Sequence, residues 1–240
     1  MADYRKAIPH VLKWEGGYSA AQTDNAKYDS TSVYMKTRSG NHRIHTNKGI
    51  TWGTWKSVAD SLGLEKTENA FLNMTDEEWG KVFKKKYWDY IQADKILSQP
   101  IAEFLVEMGW GSGFHATEGA GIEYRQLQNY LNKRGYNAGI EDGYIGTNTI
   151  KALNAYLKDK GAKGESELLD FLFNARDKSL KRKSSAAANY RGWYNRIYDH
   201  YTSLKSKLGK FAADNPTGTG LVSSVILLAG VFFLVKRFSK

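Results

Sequence analysis

Apolar residues recur at helical spacing through most of this chain, and no alternation of strand and helix accompanies them that could build a parallel sheet. Asp3 can cap a first helix with Tyr4, Ile8, Val11 and Leu12 on one face; Pro9 is expected to bend it and Gly16-Gly17 to stop it. Thr75-Asp-Glu-Glu78 reads as a capping box opening a helix with Trp79, Val82, Phe83, Tyr87 and Tyr90 inward. Pro100 starts another, with Ile101, Leu105 and Met108 on one stripe. Further helices fit 123–132, 148–160 and 165–183. A last one at about 187–208 turns Tyr190, Trp193, Ile197, Tyr201, Leu204 and Leu208 inward. Between the first two helices, 18–47 is polar and holds β-prone pieces near 32–36 and 43–46. The pattern predicts a mostly α (α+β) fold with a small β-hairpin region near its front.

One segment departs from this pattern. Leu221 to Val235 carries no charge, and the uncharged stretch reaches back to Asn215, giving twenty-one residues before Lys236. Roughly 20 apolar residues suffice to span a bilayer. A C-terminal single transmembrane helix at 221–235 is therefore expected, after a 211–220 linker and before a basic 236–240 tail. Lys236, Arg237 and Lys240 favour a cytoplasmic or virion-interior C-terminus. The start, MADYRKAIPH, has no apolar core of a secretory signal. The expected location is thus a membrane, single-pass, with the body on the far side. A formal charge of +10 agrees with an anionic partner such as wall, phospholipid or nucleic acid. The absence of cysteine removes disulfides, thiolate catalysis and Cys-based zinc sites.

Glu15 is the most unusual carboxylate. It falls on the core stripe beside Trp14, at a helix C-terminus whose dipole disfavours an anion. Burial, an indole and the helix end together would favour the protonated form that a general acid needs. Periodicity alone leaves a second reading, a surface glutamate whose place on the stripe is accidental. Asp24 follows in polar chain that would keep it ionised, the pairing glycosidases use, though on the residues alone an Asx-turn in a TDN loop is the better account of it. Trp14, Trp52, Trp55, Trp88 and Trp110 offer faces for sugar stacking; Trp79, Trp88 and Trp193 also suit the core.

Other chemistries fit less well. His42 and His45 lack a third ligand at metal-site spacing, so neither metal nor cofactor is expected. No GxSxG, Walker A or GxGxxG joins a strand to a helix. The basic stretches at 81–88 and 181–183 sit at helical spacing and read as solvated faces, so no nucleic-acid partner is expected.

KWEGGYS, NKGITWGTW, KKKYWDYIQAD, EMGWGSG, EDGYIGTNTIKALN and RGWYNRI, in that order, resemble the peptidoglycan hydrolases of glycoside hydrolase family 108. The resemblance runs from about Tyr4 to Tyr201. It implies a lysozyme-like helical domain at 1–118 and a peptidoglycan-binding-like part at 119–210 that completes the same fold. It implies Glu15 as general acid, Asp24 at the matching offset, and Thr46 of TNKGIT as a hydroxyl that positions water. Trp14, Tyr18, Trp52 and Trp110 are the expected glycan contacts. The family's short turn between that Asp and Thr is replaced here by a 25–45 insertion, in which Tyr28, Asp29 and Tyr34 are best able to meet a glycan. The DGYIGTNT run, through Asp142, Gly143, Gly146 and Thr149, resembles a wall-binding turn and is equally a structural one.

The implied activity is a membrane-anchored hydrolase of the β-1,4 bond between N-acetylmuramic acid and N-acetylglucosamine, serving phage entry or host lysis. Peptidoglycan glycan strands and a lipid membrane would be its partners. A lytic transglycosylase on the same substrate, and a non-catalytic wall-binding tether, are the alternatives.

Overall fold

The computed structural model describes residues 1–19, 33–37, 40–44, 46–114, 119–183 and 186–214. Asp24, Tyr28, Asp29 and the apolar stretch 221–235 lie outside them. Tyr34 is described in its backbone alone.

The chain opens with a 3₁₀ turn, Tyr4–Lys6, capped by the Asp3 side chain, and passes into α1 (Ile8–Trp14). Pro9 sits in the first turn of α1, where its missing N–H costs nothing, so it starts the helix instead of bending it. Glu15 ends α1 by turning extended, with φ −86° and ψ 127°. Gly16 and Gly17 are not left-handed, and a Cβ on either would meet nothing within 4 Å. They leave open space beside Glu15 and do not act as a helix cap.

Among the described residues, five short strands follow in two antiparallel sheets. β2 (Val33–Thr37) pairs with β3 (Gly40–Ile44). β1 (Tyr18–Ser19), β4 (Thr46–Asn47) and β5 (Ile50–Thr51) form a second sheet in the order β1-β4-β5. Its register sets Ser19 opposite Thr46 and Thr46 opposite Thr51. The two residues joining β4 to β5, Lys48 and Gly49, both have positive φ, 47° and 76°. That is the left-handed pair a two-residue hairpin needs to match strand twist.

The remaining described residues are mainly helical: α2 (Trp52–Val58), α3 (Glu68–Leu72), α4 (Asp76–Phe83), α5 (Gln99–Trp110), α6 (Ala120–Asn132), α7 (Thr147–Lys181) and α8 (Ala186–Asp214). The predicted Thr75 capping box is formed, and α4 runs into a π-helical turn over Lys84–Trp88. α7 breaks at Gly161 (φ 54°, ψ −152°), which accounts for the two helices read there from sequence. α8 continues to Asp214, into the stretch expected as a linker.

α5 is the axis of the fold, with Pro100 through Gly109 all buried. Trp55, Phe71, Trp79, Phe83 and Trp88 are each fully buried in the same core. Trp193, expected inside, is only partly covered, with the Lys183 ammonium 5.2 Å over its ring. Trp79 links core to hairpin: its ring stacks on Phe83 at 5.1 Å and its Nε1–H donates to the Lys48 carbonyl at 2.9 Å. Trp79→Ala is therefore expected to cost about 3–5 kcal/mol, the usual range for emptying a buried aromatic site. A urea unfolding midpoint near wild type would contradict this.

One part of the expected fold class is corrected. No helix among the described residues is long and apolar enough to cross a membrane. The longest helices, α7 and α8, have the length but carry charges throughout, because only one stripe of each turns to the core. A mostly helical, lysozyme-like fold with a small three-stranded sheet remains. The expected membrane location and lipid partner are withdrawn with the spanning helix.

Candidate active site

Where α1 ends against the β4–β5 hairpin, a cleft of about 390 Å³ opens. Glu15 to Ser19 line one wall and Thr46, Gly49 and Thr51 the other. The walls are tied by β1–β4 pairing and by a hydrogen bond from the Lys48 amide to the Gly17 carbonyl at 3.0 Å. The hairpin is anchored from below: Asn47 Nδ2 donates to the Phe71 carbonyl at 2.7 Å, and Lys48 Nζ reaches Asp76 at 2.6 Å.

Glu15 is the one carboxylate among the described residues that lines this cleft. Its Oε1 accepts two hydrogen bonds, from Trp110 Nε1 and Arg196 Nη1, each at 2.6 Å. Arg196, on α8, also donates through Nε to Glu107 Oε1 at 2.5 Å and through Nη2 to Glu107 Oε2 at 3.3 Å. Burial disfavours the Arg196 charge, but Glu107 and then Glu15 outweigh it and hold the guanidinium firmly protonated. For Glu107, burial opposes ionisation, yet the Arg196 charge and hydrogen bonds, aided by His200 and His10, keep the carboxyl below its usual range. Tyr87 packs on Trp110 at 4.5 Å. Burial, and then the nearby Glu15 charge, push its phenol up to about 12.

Glu15 thus meets an ion-pair network where an apolar pocket was expected from sequence, and the indole on its carboxylate belongs to Trp110. Trp14 is turned away, its Nε1 donating to Asp199 at 2.9 Å. Thr46 is buried in the cleft wall, 8% exposed. Tyr18 is exposed at the cleft edge, its hydroxyl on the Leu72 carbonyl. Trp52 is buried with its ring 5.3 Å from Phe71, in the core below the cleft. Sequence reasoning missed Glu107 and Arg196. A signal existed in Glu103 and Glu107, one turn apart in an otherwise apolar helix, with Arg196, His200 and Lys207 at helical spacing opposite.

Behind Arg196, His10 of α1 and His200 of α8 stack at 3.8 Å with an 11° tilt. With Glu107 they place ligand-type atoms within 4.8 Å of one another. Both Glu107 oxygens face Arg196, while His10 Nε2 and His200 Nδ1 are buried without a hydrogen-bond partner. Burial, and then His200, press the His10 pKa down to about 3. Folded His10 therefore stays neutral where unfolded His10, near 6.5, takes a proton. Stability should be full above pH 6.5 and fall by up to about 1.4 kcal/mol per unit as pH drops toward 3. Glu107, held ionised, adds to the loss at the acidic end. Urea titrations at pH 7 and pH 5 check this: the expected slope is absent from His10→Gln, and a flat wild-type profile would refute it.

The turn from Asp142 to Thr149 is internally knit. Gln128 Nε2 donates to Asp142 at 2.8 Å and to Thr149 at 3.2 Å, while the Gly143 amide donates to Gln128 Oε1 at 2.9 Å. Gly146 caps α7, but a Cβ there would meet nothing within 4 Å, so close packing is not its role.

Comparison with known proteins gives three results. Residues 8–113 match the family model Glycosyl hydrolase 108, and residues 121–162 match Putative peptidoglycan binding domain. Among solved structures, SagA of Brucella abortus has the same fold at 21% identity and TM-score 0.56, over 85% of this chain and 94% of that one. No curated protein matches the chain. Residues 8–113 are therefore a glycosyl hydrolase 108 domain, which makes this a lysozyme-like glycosidase acting on peptidoglycan.

Proposed function

We propose that the cleft cleaves the β-1,4 bond between N-acetylmuramic acid and N-acetylglucosamine, with Glu15 as general acid. The observation that supports this is the Glu15 carboxyl at the meeting of both cleft walls, held from behind by Trp110 and Arg196. A glycan strand lying across Gly16 and Gly17 would meet no side chain there and could bring its bridging oxygen to the acid. Protonating that oxygen lets the C1–O bond break with positive charge developing on the sugar. In hydrolysis, Thr46 positions the attacking water and Asp24 supplies the second carboxylate. Tyr18, at the edge, offers an exposed ring to a flanking sugar. Residues 119–210 hold the strand near the cleft as a wall-binding part of the same fold.

A second reading rests on Glu15 being the lone carboxylate lining the cleft among the described residues. A lytic transglycosylase needs a single acid–base, and closes the sugar on its own hydroxyl. Mass spectrometry of the fragments released from purified sacculi decides the chemistry. Reducing N-acetylmuramic acid ends are expected, and 1,6-anhydro ends would replace the hydrolytic reading with the second one. Reducing N-acetylglucosamine ends would overturn the assigned bond.

A further inference from the structure

The two oxygens of Glu15 have different surroundings. Oε1 receives the Trp110 indole N–H and an Arg196 N–H, each at 2.6 Å. Neither group can accept a hydrogen bond, so both lone-pair directions of Oε1 are taken by obligate donors. Oε2 lies against Gly49, so close that a Cβ there would fall 2.4 Å from it. Gly49 lines the cleft. Arg196 comes from α8, outside both segments matched by the family models, yet it closes the back of the site.

We propose that Arg196, itself held by Glu107, is the positioning residue of the general acid: with Trp110 it occupies Glu15 Oε1 and confines the transferable proton to Oε2, beside Gly49. This rests on the reading of Glu15 as the acid. Glu107 takes the Nε side of the guanidinium and shares its charge, leaving Nη1 to orient Glu15.

The groups that face this arrangement are few. α5 presents Trp110 and Glu107, α8 presents Arg196, and the π-turn presents the neutral Tyr87 phenol. Behind Arg196 stand His10 of α1 and His200 of α8, with Asp199 salt-bridged to Lys13 on the far side of His10. On protonation the hydrogen sits on Oε2; on cleavage it passes to the glycosidic oxygen, and Glu15 is left as a carboxylate paired with Arg196.

The test is the pH dependence of kcat on purified sacculi for wild type, Arg196→Gln, Glu107→Gln and the double variant. Removing Arg196 frees the acid from a neighbouring cation, so the alkaline limb should move up by about one pH unit, with kcat at the optimum falling about tenfold. Removing the Glu107 charge leaves Arg196 to Glu15 alone, so the limb should move down by about one unit. Loss of packing alone would not move the two limbs in opposite directions. Should Arg196→Gln fail to fold by its thermal midpoint, the double variant carries no uncompensated charge and is expected to show the raised limb and lowered kcat. Limbs that stay in place or move together, or a folded double variant with the wild-type profile, overturn the proposal. Glu15→Gln measured alongside separates the two levels. Inactivity there with unmoved limbs defeats only the positioning role, and activity there defeats the reading of Glu15 itself.

Discussion

Gly49→Ala is expected to remove nearly all glycan cleavage while leaving a folded protein. Gly49 has φ +76°, a conformation that costs an L-residue about 1–2 kcal/mol. The added Cβ would lie 2.4 Å from Glu15 Oε2, 2.7 Å from its carboxyl carbon and 2.7 Å from Trp110 Cζ2. None of these can be absorbed by a loose side-chain end, because Trp110 is fixed against Trp79 and Phe83 and the carboxyl by Arg196. Glu15 must therefore move by something like an ångström, and a displacement of that size in a catalytic group lowers rate on the order of 100-fold. The hairpin stays tied by Asn47 and Trp79, so the thermal midpoint should drop by only a few degrees. Initial rates on sacculi beside a thermal melt check both halves. A wild-type rate would mean that Oε2 does not need the space Gly49 leaves.

Much of this site was legible in the chain, though not always for the reason the structure supplies. Glu15 stood out as a carboxylate on a core stripe, and it is in place at the cleft. The neighbours that define it come from 95 and 181 residues away, and no local pattern can pair Glu15 with Trp110 or Arg196. Trp14, the sequence neighbour, serves Asp199 because one residue along a helix turns a side chain by about 100°. Gly16-Gly17 reads as a stop signal by composition, whereas Glu15 ends the helix and the glycines hold the cleft open. Trp52 was read as a sugar platform, but aromatic residues at helical spacing bury more often than they bind, and its ring lies on Phe71. The capping box at Thr75 and the break near Gly161 were readable because each depends on neighbours within one helical turn. The spanning helix was inferred from an uncharged run alone. No described helix fits a bilayer, and the long ones, α7 and α8, pack on each other and on α5.

On the proposed function, Glu15 is the acid that breaks the glycan. Glu15→Gln keeps the shape and can still accept from Trp110 and Arg196 through its amide oxygen, so the fold should survive, but it has no acidic proton to give. General acid catalysis contributes about 10²–10⁴-fold, and a loss of that size in kcat is expected. The direct measurement is the rate at which new reducing ends appear in purified sacculi treated with wild type or Glu15→Gln at matched, melt-verified concentrations. A variant rate lower by about 10²-fold or more is the predicted result; a rate within a few-fold of wild type would contradict it.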